Sequence, residues 1–267
     1  MSKITEYAAA TRFDSGDILI KDGSNGTKKI TAENAAVEFA GLVSTIQHRN
    51  VYRGKNLGTS VTAAQKTAIQ NGSFDDLFIG DYWVIGSKNW VIADMDYWYN
   101  IGDTSFASHH LVIVPSTTLG NVVMNDTNTT EGGYVGSKMY TEGLDTAKSL
   151  ITECFGDMVK SHRLYLSNAV TDGVESAGAW ADSTVDLMSE IMVYGTKIRN
   201  TGHIATADKQ QLALFRLSPR AINIRSNYWL RDVVSATLFA VVHGDGYANY
   251  GYASNTSYGV RPAFAIG

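Results

Sequence analysis

The side chains with the strongest claim to metal or acid–base chemistry are the pair His109-His110 and the spaced carboxylates Asp94-x-Asp96. Neighbouring residues of a strand point to opposite faces, so the two histidines cannot easily grip one ion, and a structural role is expected for them. Asp94 and Asp96 fall on one face of a strand, but the remaining ligands and the glycine of a calcium loop are missing. The stretch Asn125–Thr130 is rich in oxygen ligands; it either holds a cation or hydrogen-bonds to itself. Cys154 is the one cysteine, which excludes an intrachain disulfide. It falls on the apolar stripe of a helix, where a buried thiol is inert. No Gly-x-Ser-x-Gly elbow and no Gly-x-x-x-x-Gly-Lys loop occurs, and Gly244-Asp245-Gly246 reads as a turn. No catalytic residue, metal or cofactor is expected.

Recognition chemistry is concentrated near the C-terminal end. Tyr228, Tyr247, Tyr250, Tyr252 and Tyr258 lie among Gly, Ser, Asn and Ala, with no lysine after Lys209 and no glutamate after Glu190. Tyrosine supplies contact area at a low entropy cost, while Ser, Gly and Asn adapt their hydrogen bonds, a composition typical of antibody-like binding surfaces. From Ala240 to Ala248 the even positions are small (Ala, Val, Gly, Gly, Ala), whereas the odd positions Val241, His243, Asp245, Tyr247 and Asn249 are larger. A period of two predicts that the odd positions face outward, provided the turn at Gly244–Gly246 keeps the parity.

The elements that must position these residues can be read from pattern. The 267 residues carry 44% hydrophobic side chains, enough for a sizeable core. Charged residues make up 18% and the net charge is −4, without a basic run, so phosphate-driven nucleic-acid binding is not expected. The polar segment Met1–Ala10 does not read as a signal peptide, and no apolar run approaches the roughly 20 residues of a membrane span. Residues 1–46 read as a separate small unit. Strands at Asp17–Ile20 and Lys28–Thr31 flank the turn Asp22-Gly23-Ser24-Asn25-Gly26, and a short helix follows over Ala32–Val43.

A second unit, 47–267, opens with a capping box at Thr62-Ala63-Ala64-Gln65 and a helix to Gln70. Strands are expected over Leu77–Ile85, Trp90–Tyr97 and His110–Val114, then a long loop over Ser116–Ser137. A helix is expected over Glu142–Phe155, and a second one capped by Ser183, with the stripe Val185, Met188, Ile191 and Met192 ending at Gly195. Between 156 and 182 no element is assigned, and from Asn223 onward short strands and turns are expected. The order predicts an α+β class with an antiparallel sheet and two main helices on one side.

Tyr228-Trp229-Leu230-Arg231-Asp232 and, downstream, Tyr258-Gly259-Val260-Arg261-Pro262-Ala263-Phe264 resemble the framework of C-type-lectin-like domains in phage tail proteins. The family is that of the variable proteins of diversity-generating retroelements, the major tropism determinant among them. Asp75–Trp83, His109–Pro115 and the loop Met124–Thr130 are also similar to such domains, so the resemblance covers most of residues 48–267. The hairpin with Lys28-Lys29-Ile30-Thr31 resembles segments that open phage tail-fibre proteins.

The resemblance implies a C-type-lectin-like fold of the formylglycine-generating-enzyme variant, preceded by a virion-attachment or oligomerisation unit. It implies a phage tail adhesin, a homotrimer in the virion, that binds a bacterial surface receptor (protein or glycan) and other tail proteins, without nucleic acid or membrane insertion. Trp229, Arg231, Arg261, Pro262 and Phe264 are then scaffold. Within the display segment 227–260 the ligand-binding candidates are Leu238, Val241, His243, Asp245, Tyr247, Asn249, Tyr250, Tyr252, Asn255 and Tyr258, positions that the family diversifies through template adenines. Formylglycine-generating enzymes need a cysteine pair that this chain lacks, and the Glu-Pro-Asn calcium motif of sugar-binding C-type lectins is also missing. Two alternatives stay open: an enzyme of the same fold acting on a cell-wall or surface polymer, and a purely structural virion protein.

Overall fold

The computed structural model describes residues 18–21, 28–31 and 48–267, with 203 and 205 excepted. The described chain is α+β, with antiparallel sheets and few helices. Strands β1 (Ile18–Lys21) and β2 (Lys28–Thr31) pair antiparallel, as the first hairpin requires. Its turn and the helix expected over Ala32–Val43 lie outside the described residues.

Helix α1 (Ala63–Gln70) starts at the expected capping box. Thr62 accepts from the Gln65 amide, and the Gln65 side chain accepts from the Thr62 amide at 3.0 Å. Gln65 Oε1 also accepts from Trp83 Nε1 at 3.2 Å, which ties the helix to the sheet. Strands β3 (Tyr82–Ile85) and β4 (Lys88–Met95) are joined by Gly86-Ser87, both left-handed, as a two-residue hairpin turn demands. The loop over 116–137 contains no helix or named strand, as expected.

The large sheet runs in the order β3-β4-β5-β13-β6, where β5 is Leu111–Pro115, β6 is Val159–Lys160 and β13 is Pro262–Ile266. A short strand, β9 (Val185–Leu187), also pairs with β13. Every residue of β5 and β13 is buried, so these strands are apolar throughout rather than alternating. Pro262 opens β13, a strand position where a missing N–H is tolerated. Helix α2 (Asp145–Phe155) buries Ala147, Ile151 and Phe155, and the Phe155 ring meets Trp90 at 5.6 Å and Phe264 at 5.4 Å. A second sheet contains β10 (Tyr228–Ser235), β11 (Leu238–Val242) and β12 (Ala248–Tyr252) in sequence order. Strands β7 (His162–Thr171) and β8 (Val174–Ser183) form a separate hairpin. Helices α3 (Glu190–Tyr194) and α4 (Ala213–Leu217) are short. Among the described residues no helix is long and apolar enough to cross a membrane.

Several expectations are corrected. Ser183 caps no helix: it ends β8, Val185 lies in β9, and Ser189 caps α3 by accepting from the Met192 amide. The apolar residues from Val185 to Met192 span a strand, a turn and one helical turn, and such short apolar runs do not distinguish the two periods. Leu77 to Asp81 is irregular, with a single bridge at Ile79, rather than strand, and α2 begins three residues later than expected, after a wide turn over Met139–Gly143. The β7–β8 hairpin fills the unassigned stretch around Asp172-Gly173, both left-handed, a strong hairpin signal. Cys154 is half-buried rather than buried, at the edge of the core, and burial raises its thiol pKa.

Candidate functional site

β12 is an edge strand whose one named partner is β11, with Tyr250 opposite Ala240 and Tyr252 opposite Leu238. Directly opposed residues share a face, so Tyr250, Tyr252 and Leu238 lie on one side of this sheet. Tyr250 is 45% exposed, Tyr252 58% and Tyr247, in the turn before β12, 52%. Leu238 is half-buried. These three tyrosines are among the few large apolar side chains exposed in the described chain.

The predicted parity does not survive the turn. β11 is buried on both faces, and Val241 is 1% exposed opposite Trp229, so it is core and not a display residue. Beyond the turn the outward residues of β12 are even-numbered, while Asn249 is half-buried and Gly251 buried. Tyr258 is also corrected: it is half-buried and edge-on to Trp229 at 4.8 Å. A Cβ at Gly251 would collide with its ring, so Gly251 is required for that close approach. Asn255 is half-buried and accepts from the Ser257 amide at 2.8 Å, which shapes a turn. His243 stacks on Tyr247 at 4.4 Å and accepts from the Asp245 amide at 3.2 Å, with Asp245 exposed at the tip.

The five scaffold candidates are all buried. Trp229 Nε1 donates to Val122 O at 2.8 Å and so anchors the 116–137 loop. Arg231 donates to Leu187 O at 3.0 Å and pairs with Asp208. Burial opposes its charge, but the carboxylates of Asp208, Asp186 and Asp232 outweigh that and raise its pKa. Asp232 accepts from the Glu190 amide at 2.7 Å; burial, with Glu175 and Glu190 nearby, pushes its pKa up to about 7.

One feature of the site has no sequence signal. The buried Glu190 carboxylate accepts from three successive amides, Ile198 at 2.9 Å, Arg199 at 2.9 Å and Asn200 at 3.0 Å. That fixes a loop whose Arg199 donates to Ala248 O at 3.0 Å and lies 5.5 Å over the Tyr250 ring. Arg199 is thus part of the tyrosine surface, although 49 residues of chain separate it from Ala248.

The residues first weighed for catalysis are occupied elsewhere. Asp94 is buried against Arg49 and accepts from the Ala213 amide at 3.0 Å; burial raises its pKa. Asp96 accepts from His109 Nδ1 at 2.7 Å and from the His110 amide at 2.9 Å. Different partners therefore hold the two carboxylates. Buried His110 sits between Ser108 O and the Trp98 amide, and burial pushes its pKa down to about 4. In the 125–130 loop Asn125 donates to Thr129 O at 2.7 Å and Thr130 to Ser235 O at 2.8 Å, so these side chains satisfy backbone. Among the described residues no cluster of three or more His, Cys, Asp or Glu could hold a metal ion.

No protein-family model matches the chain, and neither does any curated protein or solved structure.

Proposed function

We propose that the chain is a phage tail-associated adhesin that binds a bacterial surface receptor through the β12 surface. The carrying observation is the exposure of Tyr250 and Tyr252 side by side on an edge strand whose partner β11 is buried from Phe239 to Val242. Aromatic side chains on a rigid support are what recognition surfaces use for most of their binding energy. The reading takes the domain as C-type-lectin-like, with Trp229, Arg231, Arg261, Pro262 and Phe264 as its framework. It takes residues 1–46 as the attachment unit and the assembly as a virion homotrimer. Several weak sites on one particle then give avidity.

Within the proposal the display set narrows to Leu238, Tyr247, Tyr250 and Tyr252, with His243, Asp245 and Asn249 flanking them. Binding of the purified, labelled chain to cells that the parent virion adsorbs to is the test. The double substitution Tyr250→Ala, Tyr252→Ala should lower cell binding at least about ten-fold, or about 1.4 kcal/mol, with an unchanged melting temperature. Full retention of binding would remove this surface from the function. Diversification is tested in the adjoining DNA: a near-copy of the segment encoding β11 and β12, differing at adenines and accompanied by a reverse transcriptase, is expected. Its substitutions should reach codons 247, 250 and 252 and spare 241.

A further inference from the structure

Four arginines of the described chain sit in ion pairs: Arg49 with Asp94, Arg53 with Asp76 and Asp81, Arg163 with Asp103 and Asp182, and Arg231 with Asp208. Arg261 is more deeply placed than any of them, at 2% exposure, yet no carboxylate of the described residues lies within ion-pair distance of it. Nε donates to Pro115 O at 3.0 Å, and Nη1 to Ala221 O at 3.0 Å and Tyr228 Oη at 3.2 Å. Nη2 donates to nothing among the described residues. A buried cation is normally paired, because neutral carbonyls replace only part of its hydration.

Arg261 lines a groove of about 330 Å³ together with Tyr52, Tyr82, Asn89, Ser116 and Asn223. Among the described residues no acidic side chain lines it. Tyr52 is 42% exposed, and its ring lies so close over Gly80 that a Cβ there would displace it. The groove thus combines a guanidinium that no carboxylate of the described residues pairs with, an aromatic face, and amide and hydroxyl groups. Asn223 continues it into two broader, more open depressions, which carry Arg220 and Arg225 and end at His243 and Asp245. Neither Arg220 nor Arg225 has a carboxylate partner among the described residues.

We propose that this groove binds an acidic saccharide, whose carboxylate or phosphate is taken by Arg261 Nη2 and whose ring lies on Tyr52. An anion completes the hydrogen bonding of the guanidinium and neutralises its charge. The tyrosine supplies an apolar face with a polar tip, suited to a ring that carries hydroxyls. Arg220 and Arg225 extend the positive track, so a polymer with repeated anionic groups should bind more tightly than one unit. The inference does not rest on the β12 surface.

Isothermal titration of the full chain tests this. D-glucuronate or D-glucose 6-phosphate should bind at millimolar Kd, at least about ten-fold more tightly than D-glucose. The tighter of the two tells whether a carboxylate or a phosphate ester is the natural group. Ser116 and the exposed Asn89 line the same groove as Arg261, so Ser116→Asp and, independently, Asn89→Asp each add a carboxylate to its lining. Both should abolish that binding in a protein that melts no lower than the parent. Tyr52→Ala should weaken the sugars but not inorganic phosphate. Equal affinity for D-glucose, no binding of either acidic sugar at about 50 mM, or unchanged affinity in both aspartate variants would overturn the proposal. So would tighter binding of a DNA oligonucleotide or of a peptide carboxylate than of the acidic sugars.

Discussion

Tyr258 and Tyr250 have the same side chain and opposite duties, and the difference lies in what each ring touches. Tyr258 fills the space over Gly251 and meets Trp229 edge-on. Tyr250 projects from β12 with Arg199 as its ring neighbour. Replacing Tyr258 by Ala should cost about 2 kcal/mol of unfolding free energy, below the roughly 3–5 kcal/mol of a fully buried aromatic. Tyr250→Ala should stay within about 0.5 kcal/mol of the parent. Urea denaturation of the two variants checks the assignment, and equal losses would contradict it. In the sequence both are tyrosines in a Gly- and Asn-rich run, so their roles were not separable there. Val241 is the same lesson in reverse: its odd position suggested display, and packing against β10 buries it.

β12 depends on an element that is remote in sequence. Glu190 holds the amides of 198–200, and Arg199 from that loop covers the Ala248 carbonyl and the Tyr250 ring. Glu190→Gln keeps the shape but weakens the acceptor, because a charged carboxylate accepts more strongly than an amide oxygen. The amides of Ile198, Arg199 and Asn200 should then exchange with solvent at least about ten-fold faster, read by hydrogen exchange, while those of β13 stay protected. Local elements were legible where local chemistry decides them. The capping box at Thr62 and the two-residue turn at Gly86-Ser87 are set by side chains within a few residues. β8 was not legible: its residues are mostly exposed or half-buried, so it lacks the apolar alternation that marks a strand. α3 starts later than the apolar stripe predicts because Val185 is buried in β9 opposite Phe264 of β13, a contact across some 79 residues of chain that local periodicity does not encode.

At the scale of the whole molecule, buried titratable groups make stability depend on pH in two opposing ways. Burial pushes His110 down to about 4 and His162 down to about 3, from 6.5. The unfolded chain therefore binds more protons than the native one as pH falls below 6.5, and these histidines lose stability for the fold in that range. Asp186 and Asp232 are pushed up to about 6 and about 7 from 3.8, mainly by burial. There the native state binds more protons, so their contribution weakens as pH rises from 3.8 to about 7. Asp232→Asn removes one of the opposing slopes. Relative to the parent it should gain stability between pH 4 and 7, on the order of a few kcal/mol, and the difference should level off above pH 7. Denaturant titrations across that range measure it, and a parallel pair of curves would refute it.

The sequence by itself determined the α+β class, the N-terminal hairpin, the capped first helix, the long loop and the buried framework around Trp229 and Phe264. Each follows from local turn chemistry or from side chains too large and apolar to remain in water. Only the tertiary structure decided which tyrosines face out, that Arg199 joins them and that Arg261 is buried without a carboxylate. Those facts depend on the register across the Gly244–Gly246 turn and on partners many residues away, and neither is encoded in local periodicity.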